Sequence, residues 1–161
     1  MPAGPRVLLE GACYHIMVRG NRKRNVFNED KDFLEYLERV KKYKRKHKIR
    51  IYAFCLMPNH IHLVGEIQEK GSLAKFMHGI NRSYTAYFND KYGKVGHLWQ
   101  GRFKSKVVIK DRYLLDCINY IEQNPVRAKI TRTPERYKWS SYKERSLGVV
   151  KEEEILDSFI L

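Results

Sequence analysis

Two short stretches of the sequence carry side chains that together could hold a metal ion and attack a phosphodiester. The first is MPNHIHLV, residues 57–64. On a strand, side chains two residues apart point the same way, so His60 and His62 share one face and Ile61 and Leu63 the other. Two imidazoles about one ladder step apart can share a metal ion. Alone, the pair suits two solvated histidines on a half-exposed strand equally well. The second stretch is DCINYIEQNPVRA, residues 116–128. On a helix, Leu114, Ile118 and Ile121 make a buried stripe, and Tyr113, Cys117, Tyr120 and Asn124 follow a neighbouring one. Tyr120 and Asn124 are four apart and therefore adjacent on that face. A tyrosine beside an amide, set opposite two histidines, is the minimum set for metal-assisted attack on a phosphodiester. Taken singly, Tyr120 is one of eleven tyrosines, suited to a core edge, and Asn124 a helix terminator before Pro125.

The cations suggest what is attacked. The chain has 32 Lys and Arg against 18 Asp and Glu, a formal charge of +14. A field of that sign draws polyanions, nucleic acid above all. Arg19, Arg22, Lys23 and Arg24 form one dense group, and Lys41, Lys42, Lys44, Arg45, Lys46 and Lys48 another. Both suit phosphate contacts with a strong salt dependence, although the second also fits a solvated helix end, where cations complement the dipole. In GHLWQGRFK, Trp99, Phe103, Arg102 and Lys104 mix rings with cations, as single-strand platforms do. Rings flanking a strand also serve as core. His15 and His97 lie outside these groups and read as structural.

The elements that must position these groups follow from the pattern of apolar residues. A first strand is expected over 13–19, then a loop through RGNRKRN, whose Gly20, Asn21 and Asn25 favour turns. Asp30 is placed to cap a helix over about 31–47, with Phe33, Leu34, Leu37 and Val40 as its apolar stripe. Ile49 to Met57 and His60 to Ile67 read as a hairpin turning at Pro58-Asn59. Ser72 is placed to cap a long helix that Gly93 ends. A fourth strand is expected near 102–109. Asp111 then caps a helix that must stop close to Asn124, since proline disfavours helical geometry in the residue before it. A short amphipathic piece, KEEEILDSFIL, ends the chain. Strand, helix, strand, strand, helix, strand is the α+β, ferredoxin-like order: an antiparallel sheet with both helices on one face and the other face open, followed by the helix carrying the tyrosine.

At 161 residues the chain fits a single domain, 1–161, with its own core. It has no apolar run of about 18 residues to span a membrane. Its opening, MPAGPRVLLEGACYHIM, lacks the pattern of a signal peptide, so a cytoplasmic location is expected. Cys13, Cys55 and Cys117 are odd in number and sit in apolar surroundings, which suits buried reduced thiols.

Five blocks, taken together and in order, resemble the single-tyrosine HUH transposases, named for two histidines flanking a bulky hydrophobic residue. The branch most similar is that of the REP-associated tyrosine transposases, relatives of the smallest insertion-sequence transposases. The blocks are YHIMVRGNRKRNVF (14–27), AFCLMPNHIHLV (53–64), GHLWQGRFKSK (96–106), YLLDCINYIEQNPVRA (113–128) and YKWSSY (137–142). The resemblance implies a ferredoxin-like fold, with His60 and His62 as the histidine pair and Tyr120 as the nucleophile. It places a third metal ligand one turn after the tyrosine, at Asn124, with Gln123 a poorer match. It implies a divalent ion, Mg²⁺ or Mn²⁺, and a single-stranded or hairpin DNA substrate cut and rejoined through a 5′-phosphotyrosine. It leaves open a homodimer that exchanges tyrosine helices. No nucleotide cofactor is expected, since no Walker-type glycine loop is present.

Other readings make different demands. A metallo-β-lactamase pattern would need an acid and a third histidine soon after His62, and LVGEIQ supplies no such cluster. A two-histidine phosphoesterase would need a second His-x-Ser/Thr, which is absent. A water-using metal nuclease would not need Tyr120. A non-catalytic or domesticated hairpin-binding protein would need neither the histidines nor the tyrosine with its amide.

Overall fold

A computed structural model describes residues 9–148 and 155–159. Its strands are β1 (Cys13–Arg19), β2 (Ile49–Met57), β3 (His60–Ile67) and β4 (Lys104–Val108). Its helices are α1 (Asp30–His47), α2 (Ser72–Tyr92), α3 (Arg112–Glu122), α4 (Asn124–Arg127) and α5 (Tyr142–Leu147). The strands form one antiparallel sheet in the order β2-β3-β1-β4, the ferredoxin-like arrangement expected. Among the described residues, no helix is long and apolar enough to cross a membrane. The opening residues 1–8, to which the signal-peptide reading largely refers, lie outside the described residues.

Alternation along the strands assigns the faces. Ile16, Val18, Ile61 and Leu63 point into the larger core, where they meet Phe33, Leu37 and Val40 of α1 and Phe76, Ile80 and Tyr84 of α2. The opposite face is not open, as the strand and helix order suggested. Leu114, Ile118 and Ile121 of α3 are fully buried there against Cys13, Tyr52, Ala53 and Val64. A second apolar stripe on the sheet and a matching one on α3 make this packing favourable, at about 25 cal/mol per Å² of apolar area withdrawn from water. The layer that carries Tyr120 is thereby held against the face that carries His60 and His62.

Several boundaries differ from the expected ones for local reasons. Glu29, not Asp30, is the N-cap of α1, and Asp32 in the first turn accepts its N–H at 3.2 Å. Gly71, in the left-handed region at φ 79°, precedes α2, and Ser72 opens the helix while its hydroxyl donates to the Glu69 carbonyl at 2.6 Å. Asp111 caps α3 as expected, accepting from the Tyr113 N–H at 2.8 Å. Helical geometry resumes beyond the break: α3 ends at Glu122, and α4 starts at Asn124 with Pro125 in its first turn, where the missing N–H has no helical partner to lose. The free edge of β2 is paired by the segment around Ser140, with the Leu56 N–H donating to the Trp139 carbonyl at 2.8 Å and the Ser141 N–H to the Phe54 carbonyl at 3.0 Å. Of the expected terminal piece, 149–154 and 160–161 lie outside the described residues. Residues 155–159 have no regular structure, and Asp157 pairs with the buried Lys44 at 2.7 Å. All three cysteines are free thiols, Cys13 and Cys55 buried and Cys117 half-buried.

A buried carboxylate ties the start of α1 to the end of α2. Asp32 is fully buried and accepts from Lys91 at 2.8 Å, Tyr87 at 2.8 Å, Tyr92 at 2.5 Å and the Asn28 N–H at 2.9 Å. Burial alone would push its pKa up, but these hydrogen bonds outweigh it and hold the carboxyl at about 2. A folded value below the unfolded one stabilises fully above the unfolded pKa and is lost as pH falls through the folded one. The difference is about 2 kcal/mol. Stability is therefore expected to decline between about pH 4 and pH 2. Asp32→Ala, which removes the acceptor shared by Tyr87, Tyr92 and the Asn28 N–H and leaves Lys91 to Glu29, is expected to lower stability by about 2–4 kcal/mol in urea denaturation and to flatten that decline.

Candidate active site

His60 and His62 sit on the α3 side of the sheet, their ring centroids 5.0 Å apart and nearly perpendicular at 83°. Asn124 reaches this pair from α4: its side-chain nitrogen lies 3.1 Å from His60 Nε2. His60 Nδ1 lies 2.6 Å from Asn59 Oδ1, an acceptor, which assigns the proton to Nδ1 and leaves the Nε2 lone pair facing Asn124. The sequence-derived pair and its amide thus meet within one chain.

The turn ahead of His60 is clasped by the basic loop. The Gly20 N–H donates to the Asn59 carbonyl at 2.8 Å and the Val26 N–H to the Pro58 carbonyl at 2.8 Å. Gly20 has no room for a side chain, since a Cβ there would lie 2.3 Å from the Arg24 carbonyl oxygen and 2.9 Å from Val26 Cγ1. Gly20→Ala must therefore displace backbone that fixes the Pro58-Asn59 turn. It is expected to lower stability by about 1–3 kcal/mol, read from the urea midpoint.

A third histidine, read from sequence as structural, belongs to this cluster. His15 projects from the same face of β1, its Nε2 lies 2.8 Å from His62 Nδ1, and the two rings stack at 5.0 Å. Only the register of β1 against β3, which sets Met17 opposite His62 and His15 opposite Val64, brings the two together, and single-sequence periodicity does not contain that register. All three imidazoles are held neutral. Burial first, then the cost of sharing the site with His15, His60 and Arg127, pulls His62 down to about 3. Burial followed by Arg19 lowers His60, and burial followed by Lys106 lowers His15.

Neutral imidazoles are the form that binds cations. Among the described residues, no group of three or more His, Cys, Asp or Glu side chains is arranged to hold a metal ion. The donor set on offer is two imidazoles and one amide. Its chemistry fits a divalent ion that takes nitrogen and oxygen ligands and completes its shell from substrate or water.

Tyr120 lies on the exposed side of α3, 58 % accessible. With Tyr113 and Cys117 it walls a cleft of about 890 Å³ whose other lining residues include His15, Met17, Lys104 and Lys106. Lys106 escaped the sequence reading, although the alternation Lys104-Ser105-Lys106 on a strand puts both ammonium groups on one face. Arg127, two helical turns after Tyr120, was also missed. Its guanidinium lies 3.9 Å from the centre of the Tyr120 ring, and Nη2 donates to the Tyr120 carbonyl at 2.6 Å. Glu122, fully buried, accepts from the Ser141 hydroxyl at 2.6 Å and from Arg145 Nε at 3.0 Å, which locks the end of α3 to the following segment.

The remaining cations scatter. Arg19 ends β1 opposite His60 and on the same face. Arg22 and Lys23 are exposed in the loop, both in the left-handed region at φ 55° and 59°, whereas Arg24 turns inward over the Phe88 ring at 5.5 Å. Lys41, Lys42 and Arg45 belong to α1, so the sheet stands between them and the histidines. Trp99 and Phe103 are core residues, each 9 % exposed. They also line, with Arg102, Lys75, His78 and Arg82, a second groove of about 1060 Å³ beside α2.

A sheet of this order, with paired histidines on the face that the tyrosine-bearing helix covers, defines a class of protein, and sequence comparison names it. The family model described as "Transposase IS200 like" matches residues 9–124. The chain belongs to that family. Its fold is similar to that of a REP-associated tyrosine transposase bound to a REP hairpin, with a TM-score of 0.74 at 17 % identity over the whole of both chains. It is also similar to a protein of Deinococcus radiodurans R1 described as a candidate transposase, with a TM-score of 0.51 at 12 % identity over 75 % of this chain and 96 % of the other. No curated protein matches the chain.

Proposed function

We propose that this transposase cuts and rejoins single-stranded, hairpin-bearing DNA through a covalent bond to Tyr120, with a divalent ion held by His60, His62 and Asn124. The observation that carries the reading is the convergence of Asn124 on His60 at 3.1 Å, which brings the turn just beyond the Tyr120 helix to the histidine pair inside a single chain. The solved REP-associated transposase, whose fold this chain shares, is bound to a REP hairpin, and the charge of +14 suits such a polyanion.

The protein's own groups have definable tasks. The cleft ammonium groups of Lys104 and Lys106 attract the DNA backbone, and Arg19 adds charge at the His60 edge. His60, His62 and Asn124 present lone pairs to the ion. When bound, Mg²⁺ or Mn²⁺ supplies Lewis-acid polarisation of the phosphoryl oxygens. Tyr120 Oη attacks phosphorus. The new O–P bond joins the tyrosine to the 5′ side, the P–O3′ bond breaks, the phenolic proton passes to solvent, and the departing 3′ oxygen takes up a proton. The phosphotyrosine ester keeps the energy of the original linkage, so a second 3′-OH can reverse the attack and release Tyr120 without a nucleotide cofactor.

The test uses a pool of labelled hairpin oligonucleotides with randomised single-stranded flanks, incubated with the protein and Mn²⁺. A labelled protein band that survives denaturing gel conditions and disappears with EDTA is expected. Cleaved DNA with no such band would favour a water-using nuclease, and tight binding with neither would favour a regulatory hairpin-binding protein.

A further inference from the structure

Arg127 is a cation that the scheme above leaves without a task. It is exposed and forms no ion pair among the described residues. Yet it is held in place twice over, by the face of the Tyr120 ring at 3.9 Å and by the Tyr120 carbonyl at 2.6 Å. It lies on α4, one turn beyond Asn124, whose amide meets His60. A single guanidinium therefore lies against the tyrosine, on the same short helix whose Asn124 meets His60.

We propose that Arg127 is the phosphate clamp of this site, binding the non-bridging oxygens of the phosphodiester that Tyr120 attacks. The proposal rests on the tyrosine-transposase reading above. A phosphate under attack by Tyr120 and neighbouring the histidines must lie between the tyrosine ring and Asn124's partner His60, and Arg127 is held against that ring one turn beyond Asn124. A guanidinium has five N–H donors, and the Tyr120 carbonyl takes one, so a fork remains that matches two phosphate oxygens. Lys104 and Lys106 act as point charges on flexible stems, whereas the ring and the carbonyl fix the plane of Arg127 before substrate arrives. Preorganised donors are the kind that act on the charge developing in a transition state.

A purely structural role predicts something different. If Arg127 served only to satisfy a carbonyl near the end of α3, the amide of Arg127→Gln would replace the donor and chemistry would be spared. The experiment starts from the member of the hairpin pool that the unaltered protein cleaves, resynthesised with either a normal phosphodiester or a neutral methylphosphonate at the cleaved linkage. Adduct formation is timed in single turnover at saturating DNA and Mn²⁺. With the phosphodiester, Arg127→Gln is expected to slow adduct formation about 100-fold and Arg127→Lys about 10-fold, at unchanged melting temperature. The methylphosphonate should slow the unaltered protein strongly and Arg127→Gln far less, because the charge that Arg127 reads is already gone. Equal methylphosphonate losses in the two proteins, or an Arg127→Gln rate within twofold of the unaltered one, would overturn the clamp while leaving the tyrosine mechanism intact. Absence of any Tyr120-dependent adduct with the unaltered protein would overturn that underlying reading, and the clamp with it.

Discussion

Tyr120→Phe is expected to abolish the covalent protein–DNA adduct and to leave hairpin binding within about twofold. The substitution removes one hydroxyl from a ring that is 58 % exposed and packs only partly against the protein, so folding and the Arg127 stack persist. The hydroxyl is the only group of this ring that can bond to phosphorus. Removal of a nucleophile from a site that otherwise stays assembled is among the largest effects a single substitution produces. A fall of at least about 1,000-fold in the rate of strand cleavage is expected. The measurement is a denaturing gel of labelled DNA together with fluorescence anisotropy on the same samples. Tyr113, at 51 % exposure on the same wall of the cleft, is the internal control: Tyr113→Phe is expected to keep cleavage within a few-fold. Cleavage that survives Tyr120→Phe but not Tyr113→Phe would reassign the nucleophile.

The second large effect is expected at the histidine pair. His60→Gln and His62→Gln each remove an imidazole nitrogen while roughly keeping side-chain bulk. Polarisation of a phosphoryl group by a bound divalent ion supplies several kcal/mol, so loss of a ligand is expected to reduce adduct formation by about 100- to 1,000-fold at limiting Mn²⁺. Binding can be followed without catalysis, from the electron-spin-resonance signal of free Mn²⁺ in the presence of protein. Both variants should leave that signal close to that of buffer alone, while the unaltered protein diminishes it. His62 is 5 % exposed and stacked on His15, so its variant also needs a melting curve to separate lost folding from lost binding. His60, held at the surface turn by Asn59, gives the cleaner comparison. Unchanged Mn²⁺ binding in both variants would remove the ion from these residues.

How much of this could be read from sequence depends on the range of the interaction concerned. Period-two alternation in HIHLV sets the two histidines on one face, and both hairpin strands run as expected, Ile49–Met57 and His60–Ile67. The buried stripe Leu114, Ile118, Ile121 is equally local, being a helical repeat. Where α3 packs is not local. Period and capping say that an amphipathic helix exists, but only the second apolar stripe of the sheet, at Cys13, Tyr52, Ala53 and Val64, decides that it covers the face expected to be open. His15 was missed for the same reason, because its partnership with His62 depends on strand register. Arg127 falls beyond Pro125, where the sequence predicts that the helix stops, and the further helical turn of α4 is what brings it back onto Tyr120. The cation runs mislead in the opposite direction. Six basic residues in the eight positions 41–48, at the end of α1, look like one phosphate surface, yet Lys44 is buried on Asp157, and Lys41, Lys42 and Arg45 lie across the sheet from the histidines.

The mechanism turns on a bond between the Tyr120 oxygen and one phosphorus atom, and the most direct measurement locates it. The covalent adduct formed with Mn²⁺ and hairpin DNA is digested with nuclease and then with trypsin, which releases residues 113–127 as the peptide YLLDCINYIEQNPVR. Tandem mass spectrometry of that peptide is expected to place a nucleotide 5′-phosphate on Tyr120 and leave Tyr113 unmodified. A nucleotide on any other residue, or cleaved DNA whose 5′ phosphate is free from the first time point, would contradict it.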